Sequence, residues 1–70
     1  MIEIFKTNVQ EECKAALLVH MLLEHFPGGS ISFDLEDCDR ILRIKHNNIL
    51  THEVSHILHQ HGYHCEVLND

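Results

Sequence analysis

The sequence predicts an α+β fold whose elements follow one another in the order β-α-β-β-α-β. Residues Ser30 to Leu35 alternate polar and apolar side chains, which is the period of a strand with one buried face. Residues Arg40 to Lys45 form a second strand-like run, and the short acidic segment 36–39 between them is typical of a hairpin loop. Apolar residues at helical spacing lie on each side of this hairpin, and a short apolar run lies outside each of those.

The first half of the chain predicts a strand followed by a long helix. The strand covers Met1–Thr7, with Ile2 and Ile4 on one face and Glu3 and Phe5 on the other. The helix runs from about Gln10 to His25, and its apolar stripe consists of Ala16, Val19, Leu23 and Phe26, widened by Ala15 and Leu22. Pro27-Gly28-Gly29 ends this helix, because proline cannot continue the hydrogen-bond ladder and glycine adopts the left-handed cap easily.

The second half predicts a shorter helix and a last strand. Thr51 is the expected N-cap, since its hydroxyl can accept a hydrogen bond from a free amide of the first turn. The apolar side of this helix consists of Val54, Ile57, Leu58 and His61, and Gly62 ends it. The last strand is expected over Cys65–Leu68.

Two strand–helix–strand units around a central hairpin are typical of the ferredoxin-like two-layer sandwich, in which both helices cover one face of a four-stranded antiparallel sheet. Residues 1–70 are expected to form one such domain. Within this fold the chain resembles the heavy-metal-associated domains of copper chaperones and metal-transporting ATPases. The resemblance rests on Val19, Leu23 and Phe26 before Pro27-Gly28, on the strand from Ile31 to Leu35, on the distance to the second helix, and on Gly62-Tyr63 before the last strand.

The chain departs from that family at the metal-binding loop. Members of the family bind a soft metal through Met-x-Cys-x-x-Cys between the first strand and the first helix, whereas this loop reads from Thr7 to Cys13 with a single thiol. If Cys13 aligns with the second cysteine, Gln10 occupies the position of the first, and an alignment on Pro27 places neither ligand on a cysteine. Since a linear Cu(I) site needs two thiolates, the resemblance implies a degenerate domain that lacks the family's metal loop.

A different metal site is the alternative hypothesis. The first two strands are expected to run in the same direction, so the loops after the first strand, at the hairpin tip and before the last strand should lie at one end. This places a mixed set of thiols and imidazoles at that pole, which would suit Zn or Cu: Cys13, Cys38, His61, His64 and Cys65. Against it, the spacing is irregular, the sheet is wide enough to separate Cys38 from the others, and Cys65 equally fits a small core residue.

The segment from His52 to His56 matches the pattern H-E-x-x-H. On a helix, histidines at i and i+4 point to one side and can hold a metal, with the glutamate as a base. The inward positions of Val54, Ile57 and Leu58 turn His52 and His56 toward solvent, with neither a third ligand nor a substrate cleft evident. This favours a chelating face for Ni²⁺ or Zn²⁺ over a protease.

Composition excludes several classes of function. A net charge of −6 opposes phosphate backbones, so no nucleic-acid partner is expected. No apolar run is long enough for a membrane span, and the start MIEIFKTNV lacks signal-peptide character. Three cysteines cannot pair completely, which indicates a reduced, cytoplasmic protein. No catalytic arrangement stands out, and a non-enzymatic role is expected.

The leading hypothesis is a partner-binding or self-associating module. The helices would cover only one face of the sheet. If Ile2, Ile4, Leu42 and Ile44 point toward the helices, Phe5 and Ile41 point away from them on the two central strands. Phe5, Ile41 and Arg43 are therefore predicted to form a contact surface for a protein partner or a homodimer.

Overall fold

The computed structural model describes residues 1–68 and confirms the predicted α+β class and element order. The elements are β1 (Ile2–Thr7), α1 (Glu12–His25), β2 (Ser30–Asp34), β3 (Ile41–Lys45), α2 (Thr51–Gln60) and β4 (Cys65–Val67). No helix in the described part of the chain is long and apolar enough to cross a membrane.

The four strands form one antiparallel sheet in the order β2-β3-β1-β4. Phe5 of β1 lies opposite Leu42 of β3 and opposite Val67 of β4. Because β1 and β2 are each antiparallel to β3, they run in the same direction, as predicted. The central position of β1 and β3 makes their two faces the broadest surfaces of the sheet.

The hydrophobic core lies between one face of the sheet and the two helices. Phe5, Leu42 and Ile44 contribute the sheet side, and they pack with buried residues of both helices. Helix α1 contacts β2, and helix α2 contacts β4. Since the core-facing residues of the sheet share one parity, both helices cover the same face, and no helix within residues 1–68 lies on the other face.

The predicted orientation of β1 is wrong. Phe5 is 0% exposed and belongs to the core, whereas Ile2 is 56% exposed. Strand β1 carries apolar residues on both faces, so its alternation does not reveal which face is covered. The larger phenylalanine ring fills the space beneath the helices beside Leu42, and this leaves Ile2 and Ile4 on the uncovered face.

The prediction for Ile41 is right in direction but wrong in exposure. Ile41 alternates with Leu42 and lies outside the core cluster, so its side chain belongs to the uncovered face. It is nevertheless only 8% exposed. Ile41 therefore adds little accessible apolar surface.

Helix α1 is rotated relative to the predicted stripe and begins at Glu12 rather than Gln10. Its buried residues are Ala15, Leu18 and Leu22, and Phe26 follows directly after the helix in the same core. Ala16 and Leu23, assigned to the stripe, are exposed. The helix is apolar around most of its circumference, so a rotation by one residue changes the sequence pattern very little.

Two glycine turns end the helices as predicted. After α1, the Gly29 amide donates to the Phe26 carbonyl at 3.1 Å, and Gly28 has φ 81°, which is a turn with proline and glycine at its centre. After α2, the Gly62 amide donates to His59 and the Tyr63 amide donates to Leu58, both at 3.0 Å. With φ 86° at Gly62, this second end is a Schellman motif.

The other predictions for α2 have a mixed outcome. Val54, Ile57 and Leu58 are buried as expected. His61 is exposed, so its assignment to the apolar side is wrong. The N-cap is Leu50 with no side-chain cap, and Thr51 is instead the first helical residue.

Candidate functional site

Three loops meet at one end of the sheet, as the topology predicts. The Thr7 amide donates to the Asp39 carbonyl at 3.0 Å, which joins the end of β1 to the hairpin tip. The His64 amide donates to Asn8 Oδ1 at 2.7 Å, which joins the loop before β4 to the loop after β1. Thiols and imidazoles from distant parts of the sequence therefore reach the same end of the molecule.

The predicted metal ligands do not converge to a single point at that end. Cys13, Cys38, His61 and His64 are exposed, and Cys65 is buried. Within residues 1–68, the group of three whose ligand atoms lie within 4.8 Å of one another is Asp37, Cys38 and Asp39. The loops meet through one backbone–backbone hydrogen bond and one to the Asn8 side chain, while the five predicted ligands spread over the surface and the core.

The hairpin group has other partners for its carboxylates. Asp37 Oδ1 accepts a hydrogen bond from the Asp39 amide at 2.8 Å. Asp39 Oδ1 lies 3.7 Å from Lys6 Nζ. These contacts account for the cluster as an exposed turn, without any ligand.

Cys65 is the buried core residue that its strand position suggested. It is 3% exposed, and burial raises the pKa of its thiol to about 11, with a hydrogen bond to Ser55 opposing the rise and Glu66 adding to it. The thiolate is the form that binds metals, so a protonated thiol at neutral pH is a poor ligand.

His64 lies beside a glutamate and a histidine. Its Nε2 lies 3.4 Å from Glu66 Oε2, and its ring centroid lies 6.4 Å from that of His59. This arrangement joins the start of β4 to the end of α2 at an exposed position.

The face of the sheet that the helices leave uncovered combines aliphatic and cationic side chains on its two central strands. We call it the open face. Its residues on β1 and β3 are Ile2, Ile4, Lys6, Ile41, Arg43 and Lys45. The register places Ile4 opposite Arg43 and Ile2 opposite Lys45. Arg43 is exposed on this face, as predicted, whereas Phe5 is absent from it.

The open face carries more than half of the cations of an acidic chain, together with two carboxylates on its edge strands, Asp34 opposite Ile41 and Glu66 opposite Lys6. The protein has five lysines and arginines and a net charge of −6, and three of the five cations lie on the open face. Exposed carboxylates such as Glu12, Glu24 and Glu53 lie on the helices. Lys6 lies 3.7 Å from Asp39, so within residues 1–68 the cations of this face without such a pair are Arg43 and Lys45 on β3, and they form a local positive patch.

The second distinctive surface is a cleft of about 390 Å³ between the helices. It is lined by His25, His52, Glu53, His56, Ile57 and Gln60. The H-E-x-x-H pattern identified two of these histidines but missed His25, which lies in the last turn of α1. No sequence signal links His25 to the other two, because only the packing of α1 beside α2 brings them to one cleft.

These two surfaces use different chemistry and different elements. The open face offers cations and aliphatic side chains from the sheet, and the cleft offers imidazoles and a carboxylate from the helices.

No protein-family model, curated protein or solved structure matches this chain.

Proposed function

We propose that the protein is a non-enzymatic, ferredoxin-like domain that binds an acidic, partly apolar segment of another protein through its open face. The strand order β2-β3-β1-β4 and the placement of both helices on one side support the ferredoxin-like assignment. The observation that carries the binding proposal is the alternation of aliphatic and cationic side chains on the two central strands of the uncovered face.

The chemistry of the open face specifies the kind of partner. Ile2 is more than half exposed beside Lys45, and the half-buried Ile4 lies beside Arg43. Aliphatic side chains contribute apolar burial, and the surrounding cations favour carboxylates in the partner and steer their approach. A partner that presents Asp or Glu between apolar residues would complement both features.

The same charges disfavour a homodimer through this face. In a two-fold interface centred on β3 the same patch meets itself, so Arg43 and Lys45 of one copy would approach the cations of the other. A nucleic-acid partner lacks support as well, since Phe5 and Phe33 lie on the core side and the described residues of the open face include no aromatic ring for base stacking.

In this proposal the chain descends from heavy-metal-associated domains but has not kept their metal-binding activity. Val9, in the loop where that family binds metal, is fully buried, and Cys13 lies in the first turn of α1. One thiol at this position is consistent with a domain that has kept the scaffold and changed its ligand.

A peptide-display selection tests the proposal directly. Random peptides selected on the wild-type protein are expected to be enriched in Asp and Glu next to apolar residues. The double variant R43E/K45E should lose that enrichment, because both side chains are exposed on the open face and reversing them repels carboxylates. Lys14→Glu also reverses a cation, but at an exposed position of α1. It serves as the control and should keep the acidic enrichment.

Two results would contradict this function. One is a selection from the wild-type protein that shows no acidic enrichment. The other is an enrichment that R43E/K45E retains at the level of Lys14→Glu. Circular dichroism of each variant verifies that the fold is unchanged.

A further inference from the structure

We propose that the cleft between α1 and α2 is a Zn²⁺ site, with His25, His52 and His56 as its protein ligands. This site uses no residue of the open face, so the zinc site and the partner-binding function can be tested independently of each other. The three histidines line one cleft of about 390 Å³, although they come from two helices and are separated by up to 31 positions in sequence.

Helix α2 supplies two of the ligands from one side. His52 and His56 are four residues apart, so their side chains start about 5–6 Å from each other on the same face of the helix. The burial of Val54 and Leu58 fixes the rotation of α2, which leaves both imidazoles exposed. An i, i+4 histidine pair of this kind can bind one metal ion with both rings.

Helix α1 supplies the third ligand with its free nitrogen already defined. His25 Nδ1 lies 3.1 Å from the Met21 carbonyl oxygen. A carbonyl only accepts hydrogen bonds, so Nδ1 carries a proton, and in the neutral ring Nε2 is the nitrogen with the lone pair. Metal-bound histidines usually have this same support, in which one ring nitrogen donates to a carbonyl and the other binds the ion.

Three imidazoles match the preferences of Zn²⁺. Zinc accepts nitrogen ligands at about 2.0–2.1 Å in tetrahedral geometry, and sites with three protein ligands keep a fourth position for water or another group. Glu53 lines the same cleft and offers a carboxylate for that position. Imidazole suits borderline divalent ions better than Mg²⁺ or Ca²⁺, which prefer oxygen.

Metal binding would need the His52 and His56 side chains to rotate toward His25, whose Nδ1 keeps its contact with the Met21 carbonyl. The cleft histidines do not form a group with ligand atoms within 4.8 Å, since within residues 1–68 that spacing occurs at Asp37, Cys38 and Asp39. All three imidazoles are exposed, and exposed side chains change rotamer in picoseconds to nanoseconds. The backbone already places the three positions around one cleft.

The test is a calorimetric Zn²⁺ titration of the full chain without a histidine tag, in a Cys13→Ser, Cys38→Ser background that removes the exposed thiols. We expect one equivalent of Zn²⁺ to bind. His25→Ala, His52→Ala and His56→Ala should each weaken binding by about tenfold or more, since even the loss of an outer-shell partner weakens metal affinity by about 10–100-fold. His20→Ala and His59→Ala are matched controls, because they remove exposed histidines of the same two helices outside the cleft.

Nitrogen NMR of the imidazole rings gives a second readout that does not depend on affinity. Zinc should shift Nε2 of His25 while Nδ1 keeps its proton. Several outcomes would overturn the site: no binding in the micromolar range, wild-type affinity in His25→Ala, or an equal loss of affinity in His20→Ala or His59→Ala. Wild-type affinity in His25→Ala would mean a two-histidine chelate on α2 alone.

Discussion

The Thr7 hydroxyl donates a hydrogen bond to the backbone carbonyl of Arg40, which lies 33 positions later in the sequence. Thr7 is 5% exposed and is the buried polar residue of the described chain. Its hydroxyl oxygen also accepts a hydrogen bond from the Val9 amide at 3.3 Å. Arg40 has a positive φ of 47°, so this contact holds the hairpin tip at a backbone conformation that arginine rarely adopts.

Replacing that hydroxyl should destabilise the fold. Thr7→Val keeps the shape of the side chain but leaves the Arg40 carbonyl and the Val9 amide without this partner. We expect the free energy of unfolding to fall by about 1–3 kcal/mol in urea denaturation. Thr7→Ser keeps the hydroxyl and should lose less. An unchanged urea midpoint in Thr7→Val would show that the contact contributes nothing.

Phe5 and Ile2 should respond very differently to truncation. Phe5→Ala removes a fully buried ring and should lower the free energy of unfolding by about 3–5 kcal/mol, a large part of the stability of a small domain. Ile2→Ala alters an exposed position of the same strand and should change it by about 0.5 kcal/mol or less. Urea denaturation followed by circular dichroism measures both. Equal losses in the two variants would mean that the face of β1 is assigned incorrectly.

Gly62→Ala isolates the cost of a left-handed backbone. Among residues 1–68, no atom beyond Gly62 and its two chain neighbours lies within 4 Å of a Cβ placed there, and its φ is 86°, so the substitution strains the backbone without a steric clash. We expect a loss of about 1–2 kcal/mol by thermal denaturation. Gln60→Ala, at an exposed position of α2, serves as the control and should leave the midpoint nearly unchanged.

Cys65 should make stability fall in alkaline solution. Burial raises the pKa of its thiol from 9.0 to about 11 in the folded protein. Below pH 9 the thiol is protonated in both states, and its full contribution to stability is present. As the pH rises from 9 toward 11, the unfolded chain releases this proton more readily than the folded one, so the contribution is lost. The difference in unfolding free energy between wild type and Cys65→Ala should therefore shrink over that interval, and a constant difference would exclude the raised pKa.

Thiol labelling should separate the three cysteines. At pH 8, iodoacetamide is expected to modify Cys13 and Cys38, which are exposed, and to spare the buried Cys65. Mass spectrometry of the modified peptides gives the order of reaction. In denaturant all three should react at similar rates, and rapid labelling of Cys65 in the native protein would contradict its burial.

Part of this structure was predictable because the relevant signals are local. Alternation around Ser32 and Phe33, and the glycines that follow each helix, gave the positions of strands and helix ends to within a few residues. The faces of β1 and α1 were not predictable in the same way. Each carries apolar side chains in more than one direction. In β1, the two isoleucines therefore made the face of Ile2 and Ile4 the predicted buried face, although the face of Phe5 is the buried one.

Some residues of the candidate sites can likewise be identified from the local sequence, whereas others depend on the tertiary structure. His52 and His56 are recognisable from their spacing, and Arg43 from its place on a central strand. His25 is not, because its relation to the other two histidines depends on how α1 packs beside α2. The exposure of Ile2 beside Lys45 likewise depends on the register between β1 and β3.

Sequence alone determined the order and approximate bounds of the six elements, since hydrophobic periods and glycine turns act over a few neighbouring residues. Only the tertiary structure decided that Phe5 fills the core, that the face with Arg43 and Lys45 is left uncovered, and that three histidines share one cleft. Those outcomes depend on which of several apolar surfaces the helices and sheet bury against each other, and that choice is made by the packing of the whole chain.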